Sequence, residues 1–211
     1  MLWIIIAVIT SYLTGSIPTA YIFCRLLKGI DIRTVGSGNV GATNALRVLG
    51  KGWGVTTLIL DILKGAIPVI FLGNIVTGKI AFLTGEQIRL LIGFCCIAGH
   101  NWTIFLNFKG GKGVATTLGV LVGLAFTIPG LNLILGLVLL TWFLVFLVFR
   151  IVSLASIIAF INLPIYAAFF KQSNFLIASC AILALFAIIR HKANILRLLQ
   201  GKEPRLVFKK Y

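Results

Sequence analysis

Leu131-Asn-Leu-Ile-Leu-Gly-Leu-Val-Leu-Leu-Thr-Trp-Phe-Leu-Val-Phe-Leu-Val-Phe149 contains no ionisable side chain. As a helix, such a run is long enough to cross the ~30 Å hydrocarbon core of a bilayer. Further apolar segments cover Leu2–Phe23, Trp53–Leu72, Arg89–Phe105, Val114–Ile128, Ser153–Phe170 and Phe175–Ile189. Soluble cores contain isolated apolar runs of about 10–14 residues, whereas here they fill most of the chain. Hydrophobic residues make up 60% of the sequence, and mean hydropathy is +1.11. In lipid, each spanning segment must satisfy its own backbone polar groups, which selects helices over open sheets. The expected fold is therefore an all-α integral membrane protein, a polytopic helical bundle of about seven transmembrane helices forming one domain over residues 1–211. Val114–Ile128 is short and runs into the turn signal Pro129-Gly130, so the count spans five to seven. The first segment opens Met-Leu-Trp with no basic stretch ahead of it, and reads as a retained helix rather than a cleaved signal.

Charge orients the bundle. The chain carries 19 Lys and Arg against four acids, Asp31, Asp61, Glu86 and Glu203, for a formal charge of +15. With the N-terminus outside, the inner connections hold Arg25, Lys28, Arg33, Arg47, Lys51, Lys109, Lys112, Arg150 and every cation beyond Ile189. The outer connections and helix ends hold only Lys79, Arg89 and Lys171. Cytoplasmic loops are the basic ones, so the C-terminus is expected inside. No basic face is interleaved with stacking aromatics, which argues against nucleic acid as a partner. Cys24, Cys95, Cys96 and Cys180 lie in or at the ends of apolar segments without metal-ligand spacing, and read as small packing residues. Asp61 and Lys64 stand one helical turn apart within an apolar segment and can pair on one face. A structural pair orienting the helix is the first reading, and a direct substrate role the second.

Three polar islands interrupt the apolar runs, all on the inner side of this topology. Ser37-Gly-Asn-Val-Gly-Ala-Thr-Asn44, followed by Arg47, combines permissive backbone (Gly38, Gly41) with neutral hydrogen-bonding groups (Asn39, Thr43, Asn44) and a guanidinium able to grip phosphate bidentately. It is equally a turn leading into a capped helix. Phe108-Lys-Gly-Gly-Lys-Gly-Val-Ala-Thr116 places Lys109, Gly110, Gly111, Lys112 and Gly113 ahead of a helical segment. An anion fits a helix N-terminus of that kind, although the two lysines also serve as ordinary inside-positive charge. The order of residues departs from a nucleotide P-loop, since Gly113 follows the lysine and no strand precedes it. In the third island, Arg190-His-Lys-Ala-Asn-Ile-Leu-Arg197, His191 and Asn194 share one helix face. His100 reads as a buried hydrogen-bonding group, and Glu203 as an anchor of the tail to a basic island.

Taken together and in this order, the three islands, Gly99-His100, Ser153-Leu-Ala-Ser156, His191-x-x-Asn-Ile-x-Arg-Leu and Glu203 closely resemble the bacterial acyl-phosphate:glycerol-3-phosphate acyltransferases. The resemblance runs nearly the full length. It implies transfer of a fatty acyl group from acyl phosphate to the 1-hydroxyl of glycerol 3-phosphate, giving lysophosphatidic acid and phosphate. It also implies membrane lipids as surroundings, the bacterial cytoplasmic membrane as location, no cofactor or metal, and no obligate protein partner.

By the same resemblance Ser37, Arg47, Lys112, His191 and Asn194 are catalytic. Asn39, Thr43, Asn44, Lys109, Gly110, Gly111, Gly113 and Ser153 bind substrate or phosphate, while Glu203 is structural. The His-x-x-x-x-Asp motif of other glycerolipid acyltransferases is missing, because Phe105 and Leu196 stand where its Asp would be. That favours a phosphate oxygen of the donor as proton acceptor over an acyl-Ser37 intermediate, since no base accompanies the serine. A transporter would place its site near mid-membrane at broken, repeat-related helices. A lipid phosphotransferase would want clustered carboxylates for metal. Neither pattern is present.

Overall fold

The computed structural model describes residues 1–206; Lys209 and Lys210, counted above among the inner cations, lie outside them. The described chain is helical: α1 (Leu2–Ser16), α2 (Thr19–Lys28), α3 (Ala42–Leu49), α4 (Lys51–Val76), α5 (Gly85–Asn101), α6 (Val114–Ala125), α7 (Leu131–Phe149), α8 (Val152–Phe169), α9 (Asn174–Arg190) and α10 (Lys192–Leu199). All seven apolar segments contribute helices, with α3 and α10 added by the first and third islands. Five stretches are long and apolar enough to cross a membrane: Leu2–Lys28, Lys51–Val76, Gly85–Leu106, Leu131–Phe149 and Val152–Phe169. A sixth is formed if α9 and α10, bent by 63° at His191, count as one span. With 12 residues, α6 reaches only about 18 Å, too short to cross alone.

The helices cluster into two compact units, one over Met1–Pro129 and one beginning at Gly130. In the first unit, glycines let helices approach to backbone contact. A Cβ at Gly99 would strike the Tyr12 carbonyl, and one at Gly119 the Ile62 carbonyl. Small residues at such crossings are how membrane helices gain packing when lipid is as apolar as leucine. In the second unit α7 buries only Leu131 and Ile134, leaving a broad apolar surface suited to acyl chains. Its polar contacts to α8 are Thr141 with Tyr166 (2.8 Å) and Trp142 Nε1 donating to Ser156 (3.1 Å).

Ile17-Pro18 breaks the first span, because proline cannot continue the hydrogen-bond ladder. The carbonyls freed at the end of α1 are met by side chains. Thr103 Oγ1 donates to Ser16 O (2.6 Å) and Lys64 Nζ to Ile17 O (2.8 Å). Lys64 also lies 2.9 Å from Asp61 Oδ1, which accepts from Thr19 Oγ1 at 3.1 Å. Asp61 and Lys64 are both buried. Arg89, placed by the sequence near the outer end of its helix, instead turns into the unit, donating to Val69 O (2.9 Å) and Asn74 Oδ1 (2.7 Å).

Removing one member of the buried pair strands the other charge, at a cost of about 3–5 kcal/mol. Lys64→Met and Asp61→Leu should each lower the thermal midpoint in detergent or nanodiscs steeply, and the double substitution should be less damaging than either alone.

Candidate functional site

Asp31 opens the first island by capping the single turn Ile32–Thr34 and forming a bidentate pair with Arg33 (2.6 Å). The Arg33 guanidinium holds the Asp31 carboxyl below its ordinary value. Two glycines at positive φ, Gly36 and Gly38, then reverse the chain around Ser37. Asn44, in the first turn of α3, fixes that reversal. Its Oδ1 accepts from the Ser37 N–H (2.9 Å), and its Nδ2 donates to Ile32 O (3.2 Å) and Val35 O (3.1 Å). The side chain is wholly buried, so Asn44 braces the loop from beneath. The carboxamide, expected to shape the substrate site, is engaged with backbone through both its oxygen and its nitrogen. Ser37 and Arg47 are exposed, with Asn39 and Thr43 half-buried. Among the described residues, the Ser37 and Arg47 side chains make no hydrogen bond or ion pair.

The second island returns from α5 through a short turn, Ile104–Leu106. Asn107 and Phe108 both take positive φ, 52° and 60°, a conformation costing about 1 kcal/mol or more for each residue with a side chain. The Phe108 N–H bond to Thr103 O (2.9 Å) helps to hold it. Gly110 and Gly111 then lie against the end of α5, their N–H groups donating to Asn101 O (3.2 Å) and His100 O (3.0 Å). Gly113, at φ 79°, caps α6. The first-turn N–H groups of α6 lack intrahelical acceptors and carry partial positive charge, and they follow directly on half-buried Lys112. The two islands touch, since a Cβ at Gly111 would lie 2.8 Å from the Val40 carbonyl of the first island. Ser37, Arg47, Lys109, Lys112 and the start of α6 thus belong to one unit.

In the second unit Glu203 is the centre of a compact cluster. Ser153 Oγ (2.6 Å) and the Asn194 amide both donate to Oε1, and Arg197 Nε donates to Oε2 (2.7 Å). Burial alone would raise this carboxyl, but the three hydrogen bonds and the guanidinium outweigh it and hold it below the ordinary carboxylate value. His191 is buried at the α9–α10 bend with Nδ1 2.7 Å from Ala187 O. Glu203 therefore pins the tail to the third island and to α8. Ser153, expected at phosphate, is engaged with Glu203. His100, read from the sequence as a buried hydrogen-bonding group, is buried in the last turn of α5. Its sequence neighbours mark a helix end, but only the fold reveals what its ring touches.

Helices long and apolar enough to cross a membrane, joined by two touching loops rich in glycine, hydroxyl groups and cations, define an integral membrane protein whose loops have the chemistry to meet an anion. Residues 5–201 match the family described as glycerol-3-phosphate acyltransferase. Relatives named glycerol-3-phosphate acyltransferase occur in Desulforudis audaxviator, 42% identical over 98% of each chain, and in Paramagnetospirillum magneticum, 42% identical over 100% of this chain and 97% of that one. Crystal structures of PlsY (YgiH), an integral membrane glycerol 3-phosphate acyltransferase, superpose closely. The glycerol 3-phosphate form gives a TM-score of 0.85 at 37% identity, covering 97% of this chain and 96% of that one. The lysophosphatidic acid form gives 0.82 at 36% identity, covering 97% and 95%. The chain belongs to the glycerol-3-phosphate acyltransferase family and is an integral membrane enzyme.

Two substitutions test these braces. Asn44→Ala leaves the Ser37 N–H and two carbonyls without their partner. It should cost about 2–4 kcal/mol and weaken glycerol 3-phosphate binding at least tenfold, as measured by calorimetry on folded protein. For Glu203, the folded carboxyl titrates below its unfolded value near 4.3. Its stabilisation should be complete above that pH and be lost as pH falls through the depressed folded value. Thermal midpoints of wild type and Glu203→Gln should differ at pH 7 and converge in acid.

Proposed function

We propose that the protein transfers a fatty acyl group from acyl phosphate to the 1-hydroxyl of glycerol 3-phosphate, at the cytoplasmic face of a bacterial inner membrane, as a single transmembrane acyltransferase domain. The observation that carries this reading is the contact between the Ser37–Arg47 loop and the Gly110–Gly113 loop at Val40 and Gly111. The named ligands of the PlsY structures support glycerol 3-phosphate as acceptor and lysophosphatidic acid as product.

Both substrates are anions, and bringing them together costs repulsion that the site must offset. Arg47 provides a planar fork for phosphate oxygens. Lys112 and Lys109 add charge, and the α6 N-terminus offers oriented N–H groups that need no reorganisation during reaction. Ser37, Asn39 and Thr43 supply neutral donors and acceptors. The acceptor hydroxyl attacks the acyl carbon, forming an ester C–O bond as the bond to the phosphate oxygen breaks. The hydroxyl proton passes to a phosphate oxygen of the donor, which leaves as inorganic phosphate. Holding the reacting atoms in contact supplies a large share of the rate. His191 and Asn194 serve the reaction by shaping the third island, where Glu203 holds Asn194.

The test is lysophosphatidic acid formation by purified protein in lipid, with palmitoyl phosphate and palmitoyl-CoA compared as donors. Product from acyl phosphate alone is expected, reduced at least a hundredfold by Arg47→Ala and by Lys112→Ala in protein that remains folded. Equal turnover with palmitoyl-CoA would refute the donor assignment, and a stable acyl ester trapped on Ser37 would refute direct transfer.

A further inference from the structure

His100 stands at a junction that none of the catalytic expectations used. Its Nδ1 lies 3.9 Å from Asp61 Oδ1, in contact with the buried pair formed with Lys64. Its carbonyl accepts the Gly111 N–H at 3.0 Å. On the far side, the ring Nε2 fills the place that a Gly111 side chain would need: a Cβ there would strike Nε2 and would lie 2.8 Å from the Val40 carbonyl. One imidazole therefore meets the glycine-rich loop where that loop meets the first island. The adjacent Asn101 continues the same floor, accepting from the Gly110 N–H and lying beneath Gly113, whose Cβ would be 2.8 Å from Asn101 Oδ1.

A loop with glycine at positions 110, 111 and 113 has large conformational freedom in isolation. Backbone N–H groups serve as an anion site only when their directions are fixed beforehand. The loop cannot fix itself with side chains at its glycines, so the rigidity must come from what it rests on. His100 is buried, at 7% exposure, and is seated on charges that are themselves locked to Ile17 and Thr19. We propose that His100 is a positioning residue: its imidazole, packed beside the buried Asp61–Lys64 pair, clamps the Gly110–Gly113 loop against the Ser37–Asn44 loop and so sets the spacing at which the two receive phosphate. Glycine at 111 is then required for that imidazole to reach between the loops. This rests on the reading of both loops as phosphate-binding.

The experiment compares wild type, His100→Ala and Gly111→Ala in lipid nanodiscs. It measures the thermal midpoint, the Kd for glycerol 3-phosphate by calorimetry, and KM and kcat for lysophosphatidic acid formation. Both variants are expected to raise Kd and KM for glycerol 3-phosphate at least tenfold in the folded fraction, and added imidazole is expected to restore part of the affinity in His100→Ala. A role in packing alone would lower the midpoint or the folded fraction while leaving Kd and KM as in wild type, and that result would overturn the clamp. If His100→Ala does not fold, Gly111→Ala decides, and wild-type affinity in it refutes the proposal. Wild-type protein that binds glycerol 3-phosphate but yields no product from any acyl donor would overturn the reaction assignment, with the binding comparison still deciding the clamp.

Discussion

Asp61 and Lys64 are charges on an otherwise apolar helix, and much of the first unit is arranged around keeping them paired. An isolated charge at the centre of a bilayer costs several kcal/mol, so each is met on more than one side. Lys64 reaches Asp61 and the Ile17 carbonyl, while Asp61 receives Thr19. Those contacts make the break at Ile17-Pro18 tolerable, because Lys64 takes the Ile17 carbonyl at the point where the hydrogen-bond ladder of α1 stops. They also tie α4 to both halves of the first span. Beside the pair sits His100, and above His100 sits the glycine-rich loop. A polar column thus runs from the helix interior to the surface where the two islands meet.

The apolar architecture was legible in the sequence because lipid imposes one rule on every spanning segment. Leu131–Phe149 is helical over the same residues that its composition marked. The other boundaries shift by a few residues where caps decide, as with Thr84 and Gln87, whose reciprocal capping box starts α5 ahead of Arg89. The inward turn of Arg89 was hidden for a physical reason. A cation near a helix end looks like a topology marker, and only packing shows whether it faces water or the carbonyls of a neighbour. Helix α3 was legible only as one of two alternatives, a turn leading into a capped helix, and it forms over Ala42–Leu49 with Gly41 at its N-cap. Its eight residues are too few for a periodic signal, and its start reads as an ordinary polar turn.

The candidate site was legible as residue types and far less as roles. Ser37 is exposed on its loop and Arg47 on α3, and Lys112 precedes a helix N-terminus, as its sequence setting implies. Asn44 and Ser153 carry the same hydrogen-bonding groups as a ligand contact would, and in the structure one engages backbone and the other Glu203. Side-chain chemistry alone does not distinguish a group that holds a substrate from one that holds the loop that holds it. Contacts separated by many residues make that distinction, and they arise only once the helices pack.

Every step of the proposed transfer depends on where phosphate binds. The most direct measurement is a diffraction structure of this protein with glycerol 3-phosphate, reading the position of the phosphorus atom. It is expected within hydrogen-bonding reach of Arg47 or of Lys112 and the backbone N–H groups at the start of α6. Phosphorus found away from both loops, with those loops unaltered, would contradict this placement.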